Sequence, residues 1–410
     1  MEKERYLLIA VSCGDEEETW ASLEELGDLL DTAGGEVAES FIQNLPHPDP
    51  ATYIGSGKAK EMREFVDAYE ADGILCDDEL SPVQLKNLSE ITECKVIDRT
   101  MLILDIFAAH AHTKEGKVQV EMAQLKYRMA HLRGIGTALS RLGGGIGTRG
   151  PGETKLETDR RAIQRKISAL SADIKNMKNV RATTRKKRQQ GALPTVAIVG
   201  YTNAGKSTLL NRLTGSNVLS EDKLFATLDP TTRVCTLEDG QEILFTDTVG
   251  FINKLPHNLI DAFRSTLEEA KYADYIVHVV DSADEHADTH MEVVYRTLRE
   301  LEITGKPIVT VFNKCDLPES DGTIYDPNAE KILRISAADG NGVEEFLETI
   351  SALIRENRVF VDTVIPYAMT AKVAQIRKYG QLLSEEYETE GIHITAYVPK
   401  FFDLDEKETT

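Results

Sequence analysis

Eight residues constrain the fold of this chain more than any others: Gly200-Tyr201-Thr202-Asn203-Ala204-Gly205-Lys206-Ser207. They fit the spacing G-x-x-x-x-G-K-[ST]. The apolar run Thr195 to Val199 precedes them and the helix-forming run Ser207 to Leu213 follows, so the stretch is expected to be a loop between a buried strand and a helix. In such a loop, successive backbone N–H groups and the positive end of the helix dipole face an anion. Lys206 would reach the β- and γ-phosphates of a nucleotide, and the Ser207 hydroxyl would ligate Mg²⁺. An open, doubly wound α/β sheet is implied, with its ligand at the C-terminal ends of the strands.

Kinases and ATPases share this loop, so the base must be read further along. Asn313-Lys314-Cys315-Asp316 follows the apolar strand expected at Pro307 to Phe312. A carboxylate at Asp316 can accept from both N1–H and the 2-amino group of guanine. Adenine lacks that donor pair, and an unmatched polar group costs on the order of 100-fold or more in discrimination. Ser336-Ala337-Ala338, after an expected strand at Ile332 to Ile335, is placed to offer backbone contact to the guanine O6.

Two further segments have the character of switches. Asp247-Thr248-Val249-Gly250 ends the strand expected at Glu242 to Phe245; Asp247 would hold Mg²⁺ through water and the Gly250 N–H would meet the γ-phosphate. Phe225-Ala226-Thr227-Leu228-Asp229-Pro230-Thr231-Thr232-Arg233 reads as the other, a loop, and spacing leaves Thr227, Thr231 and Thr232 open as its Mg²⁺-binding threonine. Losing the γ-phosphate would free both segments. GTP hydrolysis in a domain spanning 193–357 is therefore expected.

At 410 residues the chain has room for two or three domains. No run approaches the roughly 20 apolar residues that span a bilayer, and the opening Met1-Glu2-Lys3-Glu4-Arg5 lacks the features of a secretory signal. The cysteines at 13, 76, 94, 235 and 315 have no paired spacing, which argues against a disulfide framework or a zinc site. A cytoplasmic monomer without integral membrane contact is expected.

Residues 1–99 alternate strand-like and helix-like segments: strands at Tyr6 to Cys13, Glu36 to Phe41, Gly73 to Cys76 and Lys95 to Asp98, and helices at Glu16 to Thr32, Lys58 to Tyr69 and Pro82 to Ile91. That alternation implies a small parallel sheet. Tyr53-Ile54-Gly55-Ser56-Gly57-Lys58 is a glycine-rich turn opening a helix, readable as an anion cradle or as a plain strand-to-helix turn.

Between 100 and 190 the period changes. Val118, Met122, Leu125, Met129 and Leu132 recur at steps of four and three, as do Ile163, Ile167, Leu170, Ile174 and Met177. Two long helices packed antiparallel along those seams would form a hairpin, joined by a glycine-rich loop at 134–152. The net charge of −21 argues against a nucleic-acid partner, yet Lys155 to Arg188 holds twelve Lys or Arg against Glu157, Asp159 and Asp173, a local +9. Such a run is often only a solvated helix face. Concentrated on an acidic chain, with Arg133, Arg141 and Arg149 around the loop, it suits structured RNA better.

Two histidine pairs are discounted as metal sites. His286 and His290 lie four apart on an expected helix, but Asp284, Glu285 and Asp288 beside them read as a solvated acidic face. His110 and His112, two apart, cannot share a helix face.

Along nearly its full length the chain resembles the HflX family of ribosome-associated GTPases. The resemblance rests on Tyr53 to Lys58, the long run Arg149-Gly150-Pro151-Gly152-Glu153-Thr154-Lys155-Leu156-Glu157-Thr158-Asp159-Arg160-Arg161, Phe225 to Asp229, and Asp247 to Gly250 with Phe251. It implies that Thr227 is the switch threonine on Mg²⁺, and that the partner is the large ribosomal subunit with its ribosomal RNA. Roles in ribosome splitting, rescue or biogenesis follow from it as alternatives. The pattern runs on into a small α+β C-terminal domain at 358–400, with strands near Phe360 to Pro366, Glu385 to Glu388 and His393 to Val398 around a helix at Thr370 to Tyr379, before an acidic tail at 401–410. Phe251 stands where many small GTPases carry a water-orienting glutamine, so Asn203, third before Lys206, is a candidate to hold K⁺ against the phosphates or simply to stabilise the turn. A metabolic phosphotransferase would need an acceptor lid within the GTPase domain, whereas the insertions lie outside it; a GTP-dependent scaffold would differ only in turnover.

Overall fold

The computed structural model describes residues 3–142, 151–189, 193–215, 224–225, 230–237, 240–256, 269–318 and 324–399. The chain divides into two compact units, one of residues 1–178 with 221–229 and 252–265, the other of residues 179–220, 230–251 and 266–410.

The first unit opens with β1 (Arg5–Ser12), α1 (Glu16–Thr32), β2 (Glu36–Asn44), α2 (Ser56–Ala68), β3 (Gly73–Cys76), α3 (Pro82–Thr92) and β4 (Lys95–Asp98). The strands form a parallel sheet in the order β2-β1-β3-β4. β1 and β3 lie between neighbours; β3 and the Tyr6 to Val11 stretch of β1 are apolar, as strands covered on both faces must be. Helix starts are chemically marked: Asp15 accepts from Glu18 N at 3.0 Å, and Ser81 and Gln84 form a reciprocal capping box with Pro82 in the first turn.

A separate helix follows that the change of period at Thr100 does not separate from the long pair, α4 (Arg99–His110). Leu102, Ile103, Leu104, Ile106 and Phe107 are all buried, so almost every side of it is apolar and no stripe distinguishes it from the seam beyond. Its start was marked: Asp98 accepts from Met101 N at 2.8 Å. The long pair proper is α5 (Lys114–Leu142) and α6 (Pro151–Gln189). Met122, Leu125, Ile167 and Leu170 are buried together, with Val118, Met129, Ile163 and Ile174 packed on them, as the spacing predicts. The joining loop, expected at 134–152, is shorter than its glycines suggest: α5 continues through Gly134 and Gly136 to Leu142 and α6 begins at Pro151. Residues 143–150, Arg149 among them, lie outside the described residues, as do the side chains of Arg133, Arg141 and Arg185 to Arg188.

Beyond β4 the first unit holds a buried ion cluster absent from the sequence-based reading. Arg99, 1% exposed, donates to Asp77 Oδ1 at 2.8 Å, Glu25 Oε2 at 2.8 Å, Ser22 O at 2.8 Å and Asn253 O at 3.2 Å. Lys254 pairs with the other oxygen of Asp77 and with Asp78. Burial alone would raise the Asp77 carboxyl, but the two cations hold it below the usual carboxylate range.

The second unit carries β5 (Thr195–Gly200), α7 (Lys206–Thr214), β6 (Thr231–Thr236), β7 (Glu242–Asp247), β8 (Tyr275–Asp281), α8 (Ala287–Glu300), β9 (Ile308–Asn313), β10 (Lys331–Arg334) and α9 (Val343–Glu356). Its six-stranded sheet has the order β10-β9-β8-β5-β7-β6, parallel except for β6, which runs antiparallel to β7. The expected loop from Phe225 to Arg233 therefore ends in a strand from Thr231 onward, an edge pairing that its polar residues do not announce. A three-stranded antiparallel sheet follows, β11 (Arg358–Ile365), β13 (Ile392–Pro399) and β12 (Gln381–Tyr387) in that order, with α10 (Thr370–Tyr379) sharing its core through Val373 and Ile376. The tail at 401–410 lies outside the described residues. Among the described residues no helix is long and apolar enough to cross a membrane.

Candidate nucleotide site

The site is built at one edge of the six-stranded sheet. Parallel pairing brings the C-terminal ends of β5, β7, β8 and β9 together, with Ile198 opposite Asp247, Gly200 opposite Val279 and Asp281 opposite Asn313. Every candidate motif of the second unit emerges there.

The phosphate loop closes between β5 and α7. Gly205 adopts φ +92, and a Cβ there would stand 2.2 Å from Asn313 Nδ2, so both conformation and contact demand glycine. Asn203 also lies in the left-handed region, at φ 59, and is exposed. Lys206 is 6% exposed and donates from Nζ to the Tyr201 carbonyl at 2.6 Å. Burial pulls its ammonium down to about 8, opposed by the Asp247 carboxylate.

Ser207 donates its hydroxyl to Asp247 Oδ2 at 2.7 Å. A hydroxyl and a carboxylate in contact are hard oxygen donors of the kind Mg²⁺ prefers, so the pair fits that ion. Thr248 is turned the other way, donating to Ile198 O at 2.8 Å and fixing the end of β7 against β5. Gly250 is pressed on the loop: a Cβ would lie 2.9 Å from Thr202 Cγ2 and 3.1 Å from Lys206 Nζ. Thr202 N donates to Phe251 O at 2.8 Å and Phe251 N to Gly200 O at 3.1 Å, while the Phe251 ring is buried. Val249 is buried beside them.

Asn313 joins the base-reading turn to the phosphate loop, through Nδ2 to Ala204 O and from Ala337 N to its Oδ1, both at 2.9 Å. Lys314 takes φ 65 and pairs with Asp281 at 2.6 Å. Cys315 donates from its backbone N to Ile335 O at 3.2 Å. Asp316 is exposed, whereas Ser336 and Ala337 are buried and Ala338 is exposed. Asp339 N donates to Ser336 Oγ at 3.1 Å, and Arg212 of α7 donates to the Asp339 carbonyl, bracing this turn.

Of the other switch, Phe225 is buried in the first unit at φ 57, edge-on to Phe107 with ring centroids 4.7 Å apart. Ala226, Thr227, Leu228 and Asp229 lie outside the described residues. Asp281, Arg212 and His290 were missed as site neighbours because each acts through a partner far away in sequence. Asp281 alone had a signal, as the polar residue ending an apolar strand.

A P-loop enzyme specific for adenine has no use for an Asn-Lys-x-Asp turn bonded in this way to its phosphate loop. The class that fold and site define is the P-loop GTPases, enzymes that bind guanine nucleotides and hydrolyse GTP. Three family descriptions match consecutive stretches: GTP-binding GTPase N-terminal over residues 20–108, GTP-binding GTPase middle region over 110–188, and 50S ribosome-binding GTPase over 195–314. The GTPase HflX of Lacrimispora saccharolytica is 54% identical over 397 residues, covering 97% of this chain and 94% of that protein. That of Escherichia coli is 42% identical over 332 residues, 80% of this chain and 78% of the relative. A GTP-binding protein from Sulfolobus solfataricus solved with GDP aligns over 85% of this chain and 98% of its own, at 25% identity and TM-score 0.46. The chain belongs to the HflX family of GTPases.

Proposed function

We propose that this GTPase works on the large ribosomal subunit, where ribosomal RNA receives the basic run of α6 and hydrolysis times release. The observation that carries this reading is the match of residues 195–314 to a family described as 50S ribosome-binding GTPases. The local +9 between Lys155 and Arg188, on a chain of net charge −21, supports an RNA contact. The divisions 1–99, 100–190, 193–357 and 358–400 are the proposed working domains of a cytoplasmic monomer. Splitting of ribosomes, rescue and biogenesis are all uses to which such a cycle could be put.

In the proposed cycle the backbone N–H groups of Gly200 to Ser207 surround the phosphates and Lys206 offsets charge on the β- and γ-phosphates. Ser207 and Thr227, with Asp247 through water, would hold Mg²⁺, which would supply charge neutralisation when bound. Gly250 senses the γ-phosphate; Phe225 to Asp229 and Asp247 to Gly250 respond to its loss. Asn313 to Asp316 and Ser336 to Ala338 read guanine. Asn203 holds K⁺ beside the phosphates, a role supported by its exposed place in the loop. Phe251 cannot orient water, so the attacking water is placed by backbone, by another side chain or by the ribosome. GTP turnover measured with and without purified large subunits tests the proposal: slow intrinsic turnover and marked stimulation are expected, and identical rates would overturn it.

A further inference from the structure

Tyr201 fills the first variable position of the phosphate loop, and the residue is 7% exposed. It lies flat on the His290 imidazole of α8, with centroids 3.7 Å apart and planes within 10°. Behind His290, Nδ1 is 3.3 Å from Asp284 Oδ2, and the other oxygen of Asp284 accepts from His286 N at 2.8 Å. Burial of Asp284 works against its ionisation, but the His290 ring and the His286 N–H outweigh it and hold the carboxyl below its ordinary range. The imidazole is thereby clamped between a carboxylate and an aromatic face.

Tyr201 is also the residue through which the loop is organised. Its carbonyl accepts from Lys206 Nζ at 2.6 Å, and it forms an isolated parallel bridge with Phe251, the residue after Gly250. Tilting the Tyr201 ring would therefore move the carbonyl that orients the Lys206 ammonium. We propose that His290, braced by Asp284, is a positioning residue for the phosphate loop: acting through the Tyr201 ring, it fixes Lys206 for the nucleotide phosphates. Because it acts through Tyr201 rather than on the reacting atoms, its effect is expected on nucleotide affinity more than on the chemical step. An offset or flat aromatic pair contributes enough that its removal is expected to weaken affinity about three- to tenfold.

The test compares His290→Ala with His290→Phe in the full chain, following GDP dissociation and the KM and kcat of GTP hydrolysis. His290→Ala should speed GDP release and raise KM about three- to tenfold with kcat within about twofold of the parent, and His290→Phe, which keeps a flat ring under Tyr201, should restore most of the affinity. Unchanged affinity in His290→Ala, loss of kcat at constant KM, or equal weakening in both variants overturns the proposal. If His290→Ala does not fold, His290→Leu, which keeps the volume and removes the flat ring from under Tyr201, must raise KM; an unchanged KM overturns it equally. The inference rests on Lys206 serving the phosphates, and Lys206→Ala is the control: GTP binding that survives that change removes the site assignment itself.

Discussion

Asn313 donates its side-chain amide to the Ala204 carbonyl at 2.9 Å, tying the guanine-reading turn to the phosphate loop across 109 residues of chain. Its amide oxygen accepts from Ala337 N at the same distance, so one side chain joins three motifs. Asn313→Ala leaves a buried carbonyl and a buried N–H without partners. At about 1–3 kcal/mol for a buried group so stranded, GTP and GDP affinity should fall roughly ten- to a hundredfold. Titration of a fluorescent GDP would show it, and affinity within twofold of the parent would contradict it.

Asp316 decides the base. Asp316→Asn reverses the pattern from acceptor to donor, so xanthine nucleotides should displace labelled GDP from the variant while guanine nucleotides lose on the order of 100-fold. Competition in which ATP matches GTP on the parent protein would remove the guanine reading.

Lys206 makes nucleotide binding pH-dependent. Its pKa, brought down to about 8 by burial, lies below its ordinary value, and bound phosphates favour the ammonium and push it back up. Binding should be proton-neutral well below pH 8 and take up a proton above it, so affinity weakens as pH rises through 8, by up to about one decade per unit. Calorimetry in buffers of different ionisation heat measures that proton, and its absence at pH 9 would refute the assignment.

The basic run of α6 predicts a salt-sensitive ribosome contact. Replacing Arg185, Lys186, Lys187 and Arg188 with Ser should flatten the fall of binding with salt, since each neutralised phosphate releases counterions, at about 0.7–0.9 in log–log slope per contact. Cosedimentation with large subunits at several salt concentrations reads this directly. An unaltered slope would leave the run as a solvated helix face.

Asn203 predicts a preference among monovalent cations. Turnover in K⁺ should exceed that in Na⁺ at equal ionic strength, and Asn203→Ala should abolish the difference. Equal rates in the two salts, with turnover intact in the variant, would assign Asn203 to the turn alone.

What the sequence by itself determined is local. The strand–loop–helix around Gly200 to Ser207 is encoded within the nineteen residues from Thr195 to Leu213, because glycines, a lysine and a hydroxyl at fixed steps admit few backbone paths around an anion. The α5–α6 seam is likewise written in its spacing, and α1, β3, β4 and α10 fall where their caps and apolar runs place them. Only the tertiary structure decided which distant groups meet. Nothing near Thr231 announces its antiparallel pairing with Asp247, and nothing in α4, apolar almost all round, separates it from the helices that follow. Tyr201 on His290, Lys314 on Asp281, and Arg99 with Lys254 on Asp77 join residues from 22 to 177 positions apart. Side-chain periodicity reports which face of an element is buried. Which charge or ring waits on the other side depends on how the elements pack, and that is a property of the folded chain.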